Sequence, residues 1–139
     1  MVAAVCHDYA HDGFNNGYHV AVQSNRFGAY GADGGVQERF HFAESFRMIE
    51  QTHLLEGLST ADFNLFRRRM QQCIYATDMV RHMSDLNELK ALVESIPAGT
   101  PLIPEGLDEE HKEKRKTRML DLAIHTSDIS FLARPMKVS

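Results

Sequence analysis

The sequence predicts an all-α protein, and three observations lead there. Its apolar stripes repeat at helical spacing, as in Phe63, Phe66, Met70, Cys73 and Ile74. No segment alternates apolar and polar residues in the way a half-buried strand does. The apolar supply is rich in Met (seven) and Phe (eight) and has no Trp, an adaptable set suited to packing between helices. The 139 residues suffice for one domain with one modest core, and neither a repeat, a low-complexity tract nor a heptad seam interrupts them.

Taken in order, Met1–Asp8 reads as the last turns of a helix that begins without a capping residue. Gly13 and Asn15-Asn16 break it and bond locally in a tight loop. Asn16 is the expected cap of a short helix over Gly17–Ser24, with Val20 and Val22 partly inward. Asn25–Gly35, with four glycines, is expected to be a flexible loop, and Asp33 to cap the next helix. A phosphate loop is disfavoured there, because the lysine and the preceding strand are missing. Val36–Gln51 is a helix on the spacing of Val36, Phe40, Ala43, Phe46/Arg47 and Ile49, with Glu38, His41 and Ser45 on another face. Ser59-Thr60-Ala61-Asp62 resembles a capping box, with Leu58 and Phe63 as its staple. The stripe that follows runs to about Ala76, and Arg67-Arg68-Arg69 is its solvated face.

Thr77 and Asp78 then put two polar groups where apolar ones are expected, with His82 following. Buried polar groups need partners, so this pair must be satisfied by water, backbone or a metal's solvent shell. The helix resumes through Leu86, Leu89 and Val93. Pro97, Pro101 and Pro104 mark a loop over Ile96–Glu105. Leu107–Arg118 is highly charged and exposed. Met119, Leu122, Ala123 and Thr126 form a last stripe that ends at Asp128. Phe131–Ser139 reads as irregular.

The formal charge of −4 gives no basic face for nucleic acid. No apolar run approaches a membrane span, so no membrane contact is expected from this segment. There is no signal peptide pattern, and two cysteines make no disulfide framework; a reducing, cytoplasmic location is expected, with membrane tethering through other domains left open. Of eight histidines, His19, His53 and His111 read as ordinary surface or satisfied core residues. His7, His11, His41 and His125 lie beside other polar groups in apolar runs. The densest cluster is His7-Asp8-Tyr9-Ala10-His11-Asp12-Gly13-Phe14-Asn15-Asn16. An adjacent His-Asp with a distant Asp is a hard-to-intermediate ligand set. It suits zinc, iron or manganese on the imidazole side and magnesium or manganese on the carboxylate side. Asp8 has two oxygens and can bridge two ions, which would activate and orient a water for in-line attack on phosphorus. His11 could contact that water or the phosphate. Glu38, Thr77 and Asp78 are suited to hold water around the ions.

These residues resemble the class I 3′,5′-cyclic nucleotide phosphodiesterases, in order along the whole chain. His7 to Asn16 resembles that family's HDxxHxGxxN motif. Val36 to Phe42 resembles its VLExHH helix. Ala76-Thr77-Asp78-Met79-Val80-Arg81-His82-Met83 is close to ATDMxxHM, and His125-Thr126-Ser127-Asp128-Ile129-Ser130 to HTADIS. The resemblance implies a multi-helix bundle of the HD/phosphodiesterase type, of which residues 1–139 are the central part, incomplete at both ends. It implies two divalent metals, Zn and Mg (or Mn). His7, Asp8 and Asp128 would ligate the tightly held ion. Asp8 would also bridge to the second, whose water shell His11, Glu38 and Thr77 would hold. Asp78 and His41 would support the site, and His11 would act in catalysis and on the substrate. The substrate would be a cyclic nucleotide (cAMP and/or cGMP), hydrolysed to the 5′-monophosphate, with flanking regulatory domains in the full-length protein.

The chain departs from the pattern. The family's upstream HNxxHA motif, with its general-acid His, would precede Met1, and its purine-binding Gln would follow Ser139. Low activity of the isolated chain is therefore expected. Phe40 replaces the first His of the pair. Phe131 stands where some relatives carry a polar base-contacting residue, and is a candidate substrate contact. Two other readings stay open: an HD-type metal-dependent phosphohydrolase, and a truncated, non-catalytic binding partner.

Overall fold

A computed structural model describes residues 1–31 and 35–130, and among them every regular element is helical. The chain divides into two compact units, Met1–Asp78 and Met79–Ser139.

The first unit holds α1 (Val2–Cys6), α2 (Asn16–Ala21), α3 (Asn25–Tyr30), α4 (Val36–Gln51) and α5 (Thr60–Tyr75). Helix α4 has the bounds its spacing predicts, and α5 starts at the predicted cap, where Ser59 Oγ accepts from the Asp62 amide at 3.1 Å. Asp62 completes that cap through the Ser59 hydroxyl, which donates to its Oδ2 at 2.7 Å. Burial of α1, α4 and α5 against one another builds the core: Cys6, Phe42, Phe46, Ile49, Met70 and Ile74, flanked by Phe63 and Phe66. Helix α1 is too short to be stable alone, so this packing is what holds it.

Several local expectations are overturned. Residues 25–30 are not loop but α3, because the Ser24 hydroxyl accepts from the Phe27 amide and starts a turn that the glycines do not prevent. The cap of α2 is Asn15, which accepts from the Tyr18 amide, rather than Asn16, whose side chain turns to α4. Val20 and Val22 are exposed, and His19 is the buried residue of that segment. Leu58 is exposed too, while Phe63 packs against Phe46 of the core. In α4 the buried face carries Phe42 rather than Phe40, together with His41 and Ser45. Ser45 is accommodated because its hydroxyl donates to the Cys6 carbonyl at 3.2 Å, tying α1 to α4. Asp33 lies outside the described residues. Gly35 opens α4 in left-handed backbone (φ 60°). A Cβ there would lie 3.4 Å from Asp78 Oδ2 and 3.6 Å from Glu38 Oε2, so glycine lets both carboxylates approach the helix start.

The second unit holds a 3-10 turn (Met79–Arg81), α6 (His82–Ser95) and α7 (Glu109–Ile129). The chain does not simply resume a helix after Asp78: the 3-10 turn precedes α6. The charged stretch and the last stripe form one helix of 21 residues, capped by Asp108, whose Oδ1 accepts from the His111 amide at 3.0 Å. Its buried positions are Ile124 and His125, whereas Ala123 and Thr126 are exposed. Arg118 of α7 reaches Asp85 and Glu88 of α6, each at 3.0 Å.

Candidate metal centre

His7 follows the last residue of α1. Its Nδ1 lies 2.9 Å from the Ala4 carbonyl, one helical turn back. A carbonyl only accepts, so Nδ1 carries the proton and the neutral ring keeps its lone pair on Nε2. That nitrogen lies 3.4 Å from Asp8 Oδ2. Two electron-rich atoms facing each other at this distance are well served by a cation between them.

His41 repeats the logic from α4. Its Nδ1 donates to the His7 carbonyl and lies 3.8 Å from Asp8 Oδ1. The imidazole is 2% exposed, and its Nε2 is buried without a hydrogen-bond partner among the described residues. Burial pulls its pKa below the usual histidine value, against the opposing pull of the His7 carbonyl and Asp8. The neutral ring therefore presents a lone pair at Nε2, in the form a metal ligand or water acceptor needs.

His11 is set the other way round. The Gly13 amide donates to its Nδ1 at 2.9 Å, which leaves the proton on Nε2. Gly13 takes φ 88°, a left-handed geometry that glycine adopts without strain. His11 is thus held as a donor, and its ring meets that of His41 at 5.4 Å between centroids. One ligand-capable atom each from Asp8, His11 and His41 lie within 4.8 Å of one another. In this group the Asp8 carboxylate and the orphaned Nε2 of His41 are lone-pair donors that fit a divalent cation, and His11 offers an N–H to water bound there.

Glu38 is held by Asn16, whose Nδ2 donates to its Oε2 at 2.9 Å. Burial foremost, with the charges of Asp78 and Asp8, raises its pKa despite that bond. A half-buried carboxyl that faces two further carboxylates is where an added cation is most favoured. Thr77 is buried and its hydroxyl donates to the Ile74 carbonyl at 2.8 Å. Glu38, Thr77 and Asp78 thus share the first unit with His7, Asp8, His11 and His41. Asp128 lies in the second unit, half-buried at the end of α7. Phe131 lies outside the described residues. His125 meets His82 of α6, with Nε2 2.8 Å from His82 Nδ1.

Sequence reasoning missed three residues. Gln37 is 3% exposed and reaches the loop that carries His11: its Nε2 donates to Asp12 Oδ1 (2.8 Å) and to the Phe14 carbonyl (2.7 Å). Arg26 donates to Gln37 Oε1 and, at 2.9 Å, to the Ala10 carbonyl, and lies 3.4 Å from Asp12. Burial alone would raise the Asp12 pKa. The Gln37 amide, the Phe14 N–H, Arg26 and His19 outweigh it and lower the pKa to about 2. The one available signal was Gln37 itself, a polar residue next to Val36 on a helix with a buried face.

A family model described as 3′5′-cyclic nucleotide phosphodiesterase matches residues 1–139. The 3′,5′-cyclic-nucleotide phosphodiesterase regA of Dictyostelium discoideum is 31% identical over 137 residues, covering 97% of this chain and 16% of that protein. A probable 3′,5′-cyclic-AMP phosphodiesterase of Caenorhabditis elegans is 32% identical over 141 residues, covering 99% and 20%. A human dual specificity calcium/calmodulin-dependent phosphodiesterase is 29% identical over 137 residues, covering 96% and 17%. The chain therefore spans a fifth or less of the length of these relatives. Among solved structures, the phosphodiesterase domain of a rhodopsin phosphodiesterase fusion from Salpingoeca rosetta superposes with a TM-score of 0.81 at 22% identity. That match covers 98% of this chain and 41% of the other, and it establishes a common helical fold.

Proposed function

Since the chain belongs to the 3′5′-cyclic nucleotide phosphodiesterase family, we propose that the protein hydrolyses a 3′,5′-cyclic nucleotide (cAMP and/or cGMP) to its 5′-monophosphate. The observation that carries this reading is the arrangement of three histidines around Asp8. His7 and His41 have their Nδ1 protons tied to backbone carbonyls, and His11 has its Nδ1 lone pair tied to an amide. The two acceptors and the one donor are thereby assigned before anything binds, which is the preorganisation that electrostatic catalysis requires.

His7 and Asp8 would hold the first ion, with Asp128 as a further carboxylate ligand on the strength of its motif. Asp8 would bridge to the second ion, and His11, Glu38 and Thr77 would hold the water around it. His41 and Asp78 would support these groups. Zn for the first and Mg or Mn for the second suit the two ligand types. Bound divalent ions supply Lewis-acid charge and a water that is nucleophilic near neutral pH. The chain's own part is orientation and charge. The Nε2–H of His11 donates to the attacking water or to a phosphoryl oxygen. The Glu38 carboxylate takes hydrogen bonds from water, its position fixed by Asn16. A water oxygen–phosphorus bond forms as the water gives up a proton, the phosphorus–O3′ bond breaks, and the 3′-oxygen takes up a proton from solvent, so that one water is consumed with no net change in protons. The cytoplasm is the proposed location: neither cysteine forms a disulfide among the described residues.

The test joins metal binding to turnover. Titration of the protein with Zn2+ and Mg2+ by calorimetry should show binding that Asp8→Ala weakens by 100-fold or more. Hydrolysis of cAMP or cGMP should fall about 10²–10⁴-fold in His11→Asn, the range for a positioned proton donor. Metal binding indifferent to Asp8→Ala would defeat this reading.

A further inference from the structure

We propose that Gln37 is a positioning residue: its side-chain amide fastens the Asp12–Phe14 loop to α4 and so holds His11 in its Nε2–H form. Residues 10–14 bracket His11, and three fastenings surround it. Arg26 holds the Ala10 carbonyl on one side. Gln37 holds the Asp12 carboxylate and the Phe14 carbonyl on the other. Asn16 Oδ1 accepts from the Gln37 backbone amide at 2.8 Å, while its Nδ2 reaches Glu38. Inside this bracket the Gly13 amide points at His11 Nδ1. The direction of that amide is set by the backbone of residues 12–14, and Gln37 is the side chain that bonds both ends of that stretch.

The chemistry of Gln37 is specific. One amide must accept from Arg26 and donate twice, to a carboxylate and a carbonyl, which an apolar side chain cannot do and a carboxylate can do only in part. The position corresponds to leucine in the VLExHH helix that this segment resembles. Here a polar lock stands on a helix whose buried face also carries Val36, Phe42, Phe46 and Ile49. A buried amide left half-bonded would cost more than leucine, so the lock must be complete to be tolerated. Its partners Asp12 and Arg26 complete it, and Arg26 also stacks 3.8 Å over the Phe40 ring. Phe40 replaces the first His of the family's pair, so an aromatic face at that site serves the same lock.

The catalytic meaning of the lock rests on the role of His11 proposed above, but the lock itself is read without substrate. Long-range 1H–15N spectra of the 15N-labelled protein should show wild-type His11 bare at Nδ1 and protonated at Nε2. In Gln37→Leu, His11 should become a mixture of tautomers, and Gly13 amide exchange should accelerate at least 10-fold. Should that variant unfold, Gln37→Glu is the second probe. It keeps the acceptor for Arg26, loses both donors and should show the same changes. Adding Asp12→Asn to Gln37→Glu lets the new amide donate to the new carboxylate, and should recover at least half of the wild-type Gly13 protection. A merely structural role would not be rescued by reversing donor and acceptor. An unchanged His11 tautomer and Gly13 exchange in a folded variant would overturn the proposal. A shifted tautomer in a protein whose turnover stays at the wild-type level would leave the lock standing and remove the role given to His11.

Discussion

Asp12 shows how one residue can change its part between sequence and structure. In the sequence it is a spacer between His11 and Gly13. In the fold its carboxylate accepts from Gln37 and Phe14 and faces Arg26 and His19. Its pKa of about 2 lies below the ordinary 3.8. A carboxyl that binds its proton less readily when folded stabilises the fold fully above 3.8, and that contribution is lost as the pH falls through about 2. Asp12→Asn should therefore flatten the dependence of stability on pH within that window, measured by urea unfolding at stepped pH. The side chain keeps 30% exposure, so solvent screening makes the effect modest. A curve identical to wild type would mean that the carboxylate gains nothing from its partners.

At the scale of the element, α4 carries both the core and the site. Phe42, Phe46 and Ile49 pack inward, while Gln37, Glu38 and His41 serve the loop and the cluster from the same helix. Rigidity of the core is thus rigidity of the site. Ile74 of α5 is fully buried in this core. Ile74→Ala should cost about 2–5 kcal/mol in chemical denaturation, the transfer term plus the cavity it leaves. Leu58→Ala, at an exposed position, should stay within about 0.5 kcal/mol. Equal losses at the two positions would contradict the assigned core. Helix α7 was only partly legible. Its charged first half and its apolar stripe were both visible, but their union needed the Asp108 cap and the ties of Arg118 to α6. The short α3 was not legible at all, because its four-residue signal is a single serine cap beside residues that favour loops.

At the scale of the whole molecule, a chain of formal charge −4 gathers Asp8, Glu38 and Asp78 in its first unit. Concentrated negative charge is a cost that a cation relieves. Zn2+ at 100 times its dissociation constant should stabilise the protein by about 2.7 kcal/mol, with no such gain in Asp8→Ala, read as a shift of the thermal midpoint. Destabilisation of wild type by the metal would refute the cluster as a native cation site. No helix among the described residues is long and apolar enough to cross a membrane.

The helical class, the bounds of α4 and the Ser59 cap of α5 were determined by the sequence alone, because periodicity and capping act over a few neighbouring residues. The cluster around His7 and Asp8 was legible for the same reason: its members are adjacent in the chain. Only the tertiary structure decided which nitrogen of each histidine is bare and which Asn caps α2. It also decided that the buried amide of Gln37 governs the loop. Three of those outcomes depend on partners far away in sequence: 25 residues for Gln37 and Asp12, 34 for His41 and His7, and 21 for Asn16 and Gln37. A tautomer is chosen by whichever group meets the ring: for His7 and His11 that group is a near neighbour in sequence whose approach depends on the local backbone, and for His41 it is one that only the fold brings there.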